Sequence, residues 1–509
     1  MVTSRLHYVR VLVYHHDMSV FIRKKNTKSG GIAVQIIYKQ GRIVTGLIHI
    51  GTAHGEDELT VLLALANEKI HEHQLTLDLA EQLRNGTDVY LEKSYSKLLW
   101  DTLSGVYDKL GFQRIGDHVF KQLVLARIIE PTSKLDTIRV LKDLGLSAPS
   151  NTGIHRSLRD CIREEYRGQL SEACLEHVKP SALKLVLYDV TTLYFEVQKE
   201  DEYRRPGLSK ERRLEPQITV GLLVDRTGFP LEVMSFEGNR AEVKTIIPVL
   251  QGFKTRHGLK DITVTADAAM LSAGNISELE RLGFHYIIGS RLAKTPYEIE
   301  EYLCEDGVVL EDGQIFESNM TVTVGGKRTK RRVVYQYLAR RAKLDLSNIE
   351  KTIAKAQKMI DKKSAIKRNR FLKITGFERE INLPLVEEAR RKAGIKGYVT
   401  DLRIPAQEVI NAYHQLFQVE KSFRMSKSDL KARPIFHHTR ESIDAHLTVV
   451  FGALSVARYI EAATGLSIRK FVRTLAPIRT GMVSVNDVSL AVKPKIPDDV
   501  ATLIKQLKV

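Results

Sequence analysis

Cysteine is scarce: Cys161, Cys174 and Cys304 are the only three in 509 residues, and they stand far apart. That spacing excludes a disulfide framework and a zinc site, and it fits a reducing cytosol. Long apolar runs are missing too. No stretch approaches the about 20 residues that a membrane-spanning helix needs. The N-terminal "RVLVYHH" is broken by Tyr14, His15 and His16, so neither a membrane anchor nor a signal peptide is expected. Acids are in deficit, 61 Asp and Glu against 78 Lys and Arg, which leaves a net charge of +17. A polyanion is therefore the expected partner, and nucleic acid fits better than a membrane. The histidine pairs in "HEH" (71–73) and "HH" (437–438) lack ligand companions, so surface or local hydrogen bonding is expected of them rather than metal binding.

What is present divides the chain by period. Residues 1–60 alternate apolar and polar between glycine-rich breaks, as in "IAVQIIYK" and "RIVTGLIHIG", and predict a small β-rich module. Residues 61–178 carry helical patterns, including "IGDHVFKQLVLARIIEP" and "TGIHRSLRDCIREEYRGQL", with Ser133 placed to cap one helix and Gly111 and Gly145 to end others. Short helices with tight turns are compatible with DNA binding. From 179 to 290 the period shortens. "ALKLVLYDV" (182–190), "PQITVGLLVD" (216–225), "PLEVMSFEG" (230–238), "DITVTAD" (261–267) and "FHYIIGS" (284–290) read as strands, with helices at 240–252 and 273–282 between the later ones. This is an α/β pattern with a mixed sheet. Residues 291–396 interrupt it. "GYVTD" (397–401) and the segments up to 465 resume it with a long apolar helix at about 441–462, and a C-terminal segment, 466–509, follows.

The interruption holds the charge anomaly. Residues 321–370 contain 16 Lys or Arg and 3 acids, so most of the chain's surplus lies there. Such charges repel one another unless a polyanion neutralises them, so contact with a phosphate backbone is expected, led by Lys327, Arg328, Lys330, Arg331 and Arg332.

Acids in the α/β part stand where chemistry gathers. Asp189 is read as ending the strand "LKLVLY" and Asp267 as ending "DITVTA"; ligands in open α/β sheets collect outside strand ends. An acid there can also merely cap a turn. A third acid, Glu420, lies in "YHQLFQVEKSFRMSK" (413–427), which predicts one amphipathic helix. Val409, Leu416, Val419 and Phe423 form its apolar stripe. Tyr413, Glu420 and Lys427 form a second stripe beside Lys421 and Arg424. Three converging carboxylates need divalent cations to coexist, and oxygen ligands favour Mg²⁺ or Mn²⁺. Two such ions can activate water or a hydroxyl at a phosphodiester.

On these residues the chain resembles the DDE transposases of bacterial insertion sequences marked by a Tyr–Arg–Glu–Lys signature. "YDVTTLYFE" resembles the strand of the first Asp, and "TADAAM" that of the second. Tyr413, Glu420 and Lys427 match the signature at its spacing, while Leu416 stands at the Arg position. "LARIIEPTSKLDT" and "SDLKARPIFHHTRESIDAHLTVVFGALSVARYIE" look like flanking regions of one subgroup, so the likeness covers about 115–465. It implies a ribonuclease H-like core with a β-rich insertion before the Glu. It also implies a two-ion Mg²⁺ (or Mn²⁺) site on Asp189, Asp267 and Glu420, and phosphate contacts from Tyr413 and Lys427, with Arg424 replacing the missing Arg. Some relatives trap a flipped base with a Trp in the insertion; the one Trp here, Trp100, lies elsewhere. The function implied is end cleavage and strand transfer on double-stranded DNA, transposon ends and target alike. A homodimer would assemble the synaptic complex in a bacterial cytoplasm, on chromosomal or plasmid DNA. Two other readings stay open: a ribonuclease H-like nuclease or resolvase that cuts without joining, and a non-catalytic, transposase-derived DNA-binding protein. The intact acids argue against the latter.

Overall fold

The computed structural model describes residues 18–71 and 89–509, less 28–29, 41–42, 197–199, 208–214, 260, 271, 291–296, 306–307, 325–326, 362–364, 366–367, 376–377 and 486–487. The N-terminal run "RVLVYHH" and most of "HEH" lie outside these residues. The chain forms two compact units, one of residues 1–93 with 481–492, the other of 94–480 with 493–509.

In the first unit the alternating sequences pair as expected. Met18–Asn26, Ile32–Gln40 and Ile43–Ala53 form an antiparallel sheet. The helix Glu56–His71 covers one face, closing a small core around Val34, Ile36 and Ala66. A second sheet is built from distant segments. Val89–Tyr95 pairs with Thr480–Val485, which pairs with Val488–Val492. The strand at 89–95 falls in a stretch expected to be helical throughout; alternation in "VYLEKSY" suits an edge strand once a partner arrives from the far end of the chain.

The second unit is organised on an eight-stranded mixed sheet. Its strands are β1 (Leu185–Tyr194), β2 (Gln217–Asp225), β3 (Pro230–Glu237), β4 (Thr263–Ala266), β5 (His285–Ser290), β6 (Ile315–Val324), β7 (Lys327–Tyr337) and β8 (Ile395–Thr400). Their order is β6-β7-β8-β5-β4-β1-β2-β3. β1 runs parallel to β4, and β4 to β5, while β1-β2-β3 are antiparallel. Every residue of β2 is buried, as expected for a strand covered on both faces. The interruption at 291–396 therefore does not stand wholly apart, because its hairpin β6–β7 extends the main sheet through β8. What stands apart is a small module. The helix Ala339–Ile360, the hairpin Leu372–Thr375 with Glu378–Ile381, and the helix Leu383–Arg391 close a core on Ile349, Phe371, Val386 and Ala389.

Five helices fill 97–178, among them α1 (His118–Ile129). They share one hydrophobic core with the sheet instead of forming a separate body. Gly111 and Gly145 follow two of them with positive φ, as their spacing predicts. Three further helices matter for the site: α2 (Ala406–His414), α3 (Phe417–Arg424) and α4 (Arg440–Thr464). By length and composition α4 could cross a membrane, but 89% of its apolar window is buried in protein. It packs against β3 and against α1 and its neighbouring helices, and a helix apolar on all sides belongs at such a centre.

Candidate active site

Register decides where the first two acids meet. In the parallel pair β1–β4, Tyr188 lies opposite Ala266, so Asp189 and Asp267 are the next residue on each of two neighbouring strands. β1 does not end at Asp189, as its apolar start suggests. The β-branched and aromatic "VTTLY" carries it on to Tyr194, paired with β2. The edge of the site is set by β4 stopping at Ala266. Asp189 is half-buried and Asp267 exposed. One oxygen of Asp267, Oδ1, accepts from the Ala268 amide at 2.6 Å and from the Tyr413 hydroxyl at 3.2 Å.

The third acid arrives on a broken helix. Residues 413–427 are not continuous: α2 ends at His414, and Leu416 and Val419 close tight three-residue turns on Tyr413 (3.0 Å) and Leu416 (3.2 Å) before α3 proceeds. After Arg424 a single wider turn spans Met425–Asp429. The seven-residue stripe is therefore re-aimed. Tyr413 is buried and bonded to Asp267, Glu420 is exposed on α3, and Lys427 is half-buried, lining a small cavity together with Thr191, Leu193 and Phe423. The apolar stripe holds, since Val409, Leu416, Val419 and Phe423 are all buried. α3 packs on β1 and β2. The Ser422 hydroxyl donates to the Gly228 carbonyl at 2.7 Å, and the buried Arg458 of α4 ties that turn to the Gln418 side chain at 3.2 Å. Gly228 has φ +86°, and a Cβ there would strike Arg458.

Lys396, on β8, escaped the sequence reading. Its Nζ stands 4.3 Å from the centre of the Tyr413 ring. Burial holds its ammonium below the usual lysine range, with help from Arg341, while the carboxylates of Asp267 and Glu420 both act in the opposite direction. One cation thus feels two of the three acids, which places Asp267 and Glu420 in a common field. A signal existed, a lone charge inside the apolar "IKGYVT". Burial and the Asp267 carboxylate push the Tyr413 phenol far above its ordinary pKa, so it remains a hydrogen-bond donor.

Among the described residues no three His, Cys, Asp or Glu side chains are gathered closely enough to hold an ion. The donor chemistry nonetheless suits a hard cation: three carboxylates, two on adjacent in-register strands, with a lysine whose charge is felt by Asp267 and Glu420.

The residues expected to contact DNA divide. Arg424 is exposed, and Lys421, also exposed, lies 3.5 Å from Glu461. Arg328 and Lys330 are exposed on β7, and Lys327 begins that strand with its side chain outside the described residues. Arg331 and Arg332 have acidic partners within the fold. Arg331 makes two 2.7 Å bonds to Glu280; Arg332 pairs with Glu317 at 2.8 Å and donates to the Leu402 and Ile404 carbonyls. Strand alternation and neighbouring acids explain the difference, because a basic run in a strand meets whatever its sheet neighbours present. On the helix 339–360, Lys343, Lys351, Lys355 and Lys358 are exposed and have no acidic partner among the described residues.

The family model described as the transposase DDE domain matches residues 180–456, and the chain belongs to that family. Among solved structures, the piggyBac transposase in its synaptic complex with hairpin DNA is similar over 70% of this chain and 69% of that one, at 12% identity and a TM-score of 0.38. No curated protein matches the sequence.

Proposed function

We propose that this transposase binds the terminal inverted repeats of an insertion sequence, hydrolyses the phosphodiester at each end, and joins the freed 3′-hydroxyl to target DNA. The observation that carries the reading is the juxtaposition of Asp189 and Asp267 on in-register strands, with Tyr413, the first residue of the signature, bonded to Asp267. The order β3-β2-β1-β4-β5, antiparallel then parallel, is read as a ribonuclease H-like core. Asp189, Asp267 and Glu420 would hold Mg²⁺ or Mn²⁺, which supplies charge neutralisation at phosphorus and makes a water or hydroxyl nucleophilic. Tyr413 and the Ala268 amide orient Asp267. Lys396 offsets repulsion between Asp267 and Glu420 while DNA is absent. Both displacements occur at phosphorus, so one site serves both. Two ends must be held together, and a homodimer in the bacterial cytoplasm supplies one site for each.

The test is an oligonucleotide carrying the element's end, incubated with a target plasmid and Mg²⁺. Wild type is expected to give nicked ends and joined products. Glu420→Gln keeps the shape and removes a ligand charge, so cleavage should fall by orders of magnitude while end binding persists. Loss of binding together with cleavage would make Glu420 structural. Cutting without joining would leave a nuclease.

A further inference from the structure

The proposed chemistry makes no use of the histidine pair at 437–438 or of the basic groups packed around it. Arg127, near the C-terminal end of α1, donates through Nη1 to the carbonyl oxygens of Leu430 (2.8 Å) and Lys431 (3.1 Å), and through Nη2 to that of Thr132 (3.5 Å). Lys134 Nζ lies against His437 Nε2. The His437 ring is 5.5 Å from that of His446, whose Nε2 meets the Ala432 carbonyl oxygen at 3.1 Å. His155 and His438, both exposed, also act on His437.

Every titratable group in this set is basic. The acids that follow α1 are engaged elsewhere. Glu130 and Asp136 both accept from Arg139, at 2.5 and 2.9 Å, and Asp136 also accepts from the Thr132 hydroxyl at 2.7 Å. Among the described residues no carboxylate pairs with Arg127, Lys134 or His437. Burial, with no counter-charge to resist it, pushes Lys134 down to about 7 and His437 to about 3. Keeping the Arg127 guanidinium and the Lys134 ammonium half-buried and unneutralised costs folding free energy, and an anion seated between them, with the neutral His437 ring beside it, would recover it. A guanidinium, an ammonium and an imidazole are the donors that suit phosphate oxygens.

The strand that bears Asp189 leads to this cluster. β1 runs on through Tyr194, and Phe195 bridges to Ile435, two residues before His437. Six residues of extended chain separate Asp189 from Phe195, about 20 Å. A DNA backbone leaving the proposed active site can reach that far, which favours a phosphodiester over a free anion.

We propose that Arg127, Lys134 and His437 form a phosphate receptor that grips the backbone of the DNA end away from the reacting bond. This rests on the DNA-end reading above. The receptor works without reading sequence, since phosphate contacts position a duplex and bases specify it.

The test measures binding of the full chain to a short mixed-sequence DNA duplex over a range of salt, by fluorescence anisotropy, with melting temperature recorded for each variant. Lys134→Gln and His437→Gln are expected to fold as well as wild type. Lys134→Gln should weaken binding several-fold and make the slope of log affinity against log salt shallower by about 0.9, one phosphate contact. His437→Gln should weaken binding less, and Lys134→Arg should restore the wild-type slope. A wild-type slope in Lys134→Gln overturns the receptor and leaves the transposase reading standing. A clear fall in the melting temperature of Lys134→Gln also overturns it, because Lys134 would then be a structural partner of His437. Failure of wild type to bind any duplex removes both readings together.

Discussion

Gly289, at the end of β5, shows how finely single atoms set this site. A Cβ there would lie 2.8 Å from the Tyr413 hydroxyl and 3.0 Å from the Ala268 amide nitrogen. The hydroxyl yields more easily than the backbone, so Gly289→Ala should push Tyr413 off Asp267. A hydrogen bond to a charged group is worth about 1.5–3 kcal/mol, so end cleavage is expected to fall roughly tenfold to a hundredfold. Tyr413→Phe should do the same, and duplex binding should stay at the wild-type level in both. Unchanged cleavage by the two variants would refute an orienting role for Tyr413. Asp189 and Asp267 were legible in the sequence because an acid that follows an apolar run is conspicuous. Lys396 was not. The lone charge in "IKGYVT" marks the position, but its partners Tyr413 and Asp267 stand on other elements, far along the chain, and no local pattern announces them.

At the scale of elements, β2, β3, β4, β5, β8 and the long helix α4 were readable from period alone, whereas β1 runs five residues past its expected end and the hairpin β6–β7 joins the sheet from the stretch read as an interruption. The break between α2 and α3 was not, because residues 413–427 keep an unbroken 3.6-residue pattern and the kink is imposed by packing on β1 and β2. Nor could a basic run disclose which of its charges were already neutralised. That distinction is measurable. Replacing Arg328 and Lys330 by Gln should flatten the salt dependence of DNA binding without lowering the melting temperature. Gln at Lys351, Lys355 and Lys358 on the helix 339–360 should act likewise. Arg331→Ala removes the bidentate partner of Glu280 and should cost stability instead, about 1–3 kcal/mol in a denaturant titration, with little effect on the salt slope. The reverse ranking would assign the DNA contact to Arg331.

For the whole molecule, buried imidazoles predict acid sensitivity. Burial lowers His257 to about 4 and His437 to about 3, and puts His446 well below its ordinary value. The unfolded chain takes up protons near pH 6.5 that the folded chain refuses, so stability present at pH 7 is lost as pH falls below about 6.5. The loss reaches up to about 1.4 kcal/mol per pH unit for the fully buried His446 and less for the other two, which retain some solvent. Glu232, whose carboxyl burial raises, works against this trend. Calorimetry between pH 7 and 5 should show a falling melting temperature, and His446→Gln should give a shallower slope whatever its absolute stability. A flat profile in wild type would contradict the assignment of these side chains as neutral. The α/β core and its family likeness were legible at this scale. The sharing of one hydrophobic core by the 97–178 helices and the sheet was not, because burial against a distant element leaves the same apolar periodicity as burial against a near one.

The sheet that joins Val89–Tyr95 to Thr480–Val485 and Val488–Val492 sets the order in which the protein can be made. Arg479 holds the side chain of Ser94, at 2.9 Å, across 385 positions of sequence. During synthesis the strand at 89–95 leaves the ribosome early and waits for nearly the whole remaining chain before its partner appears. Until then both its edges are bare, and a product stopped short of 480 never covers the one that Thr480–Val485 takes. Chains terminated before 480 are therefore expected to aggregate or be degraded, and the first unit closes only once residues 481–492 have been made.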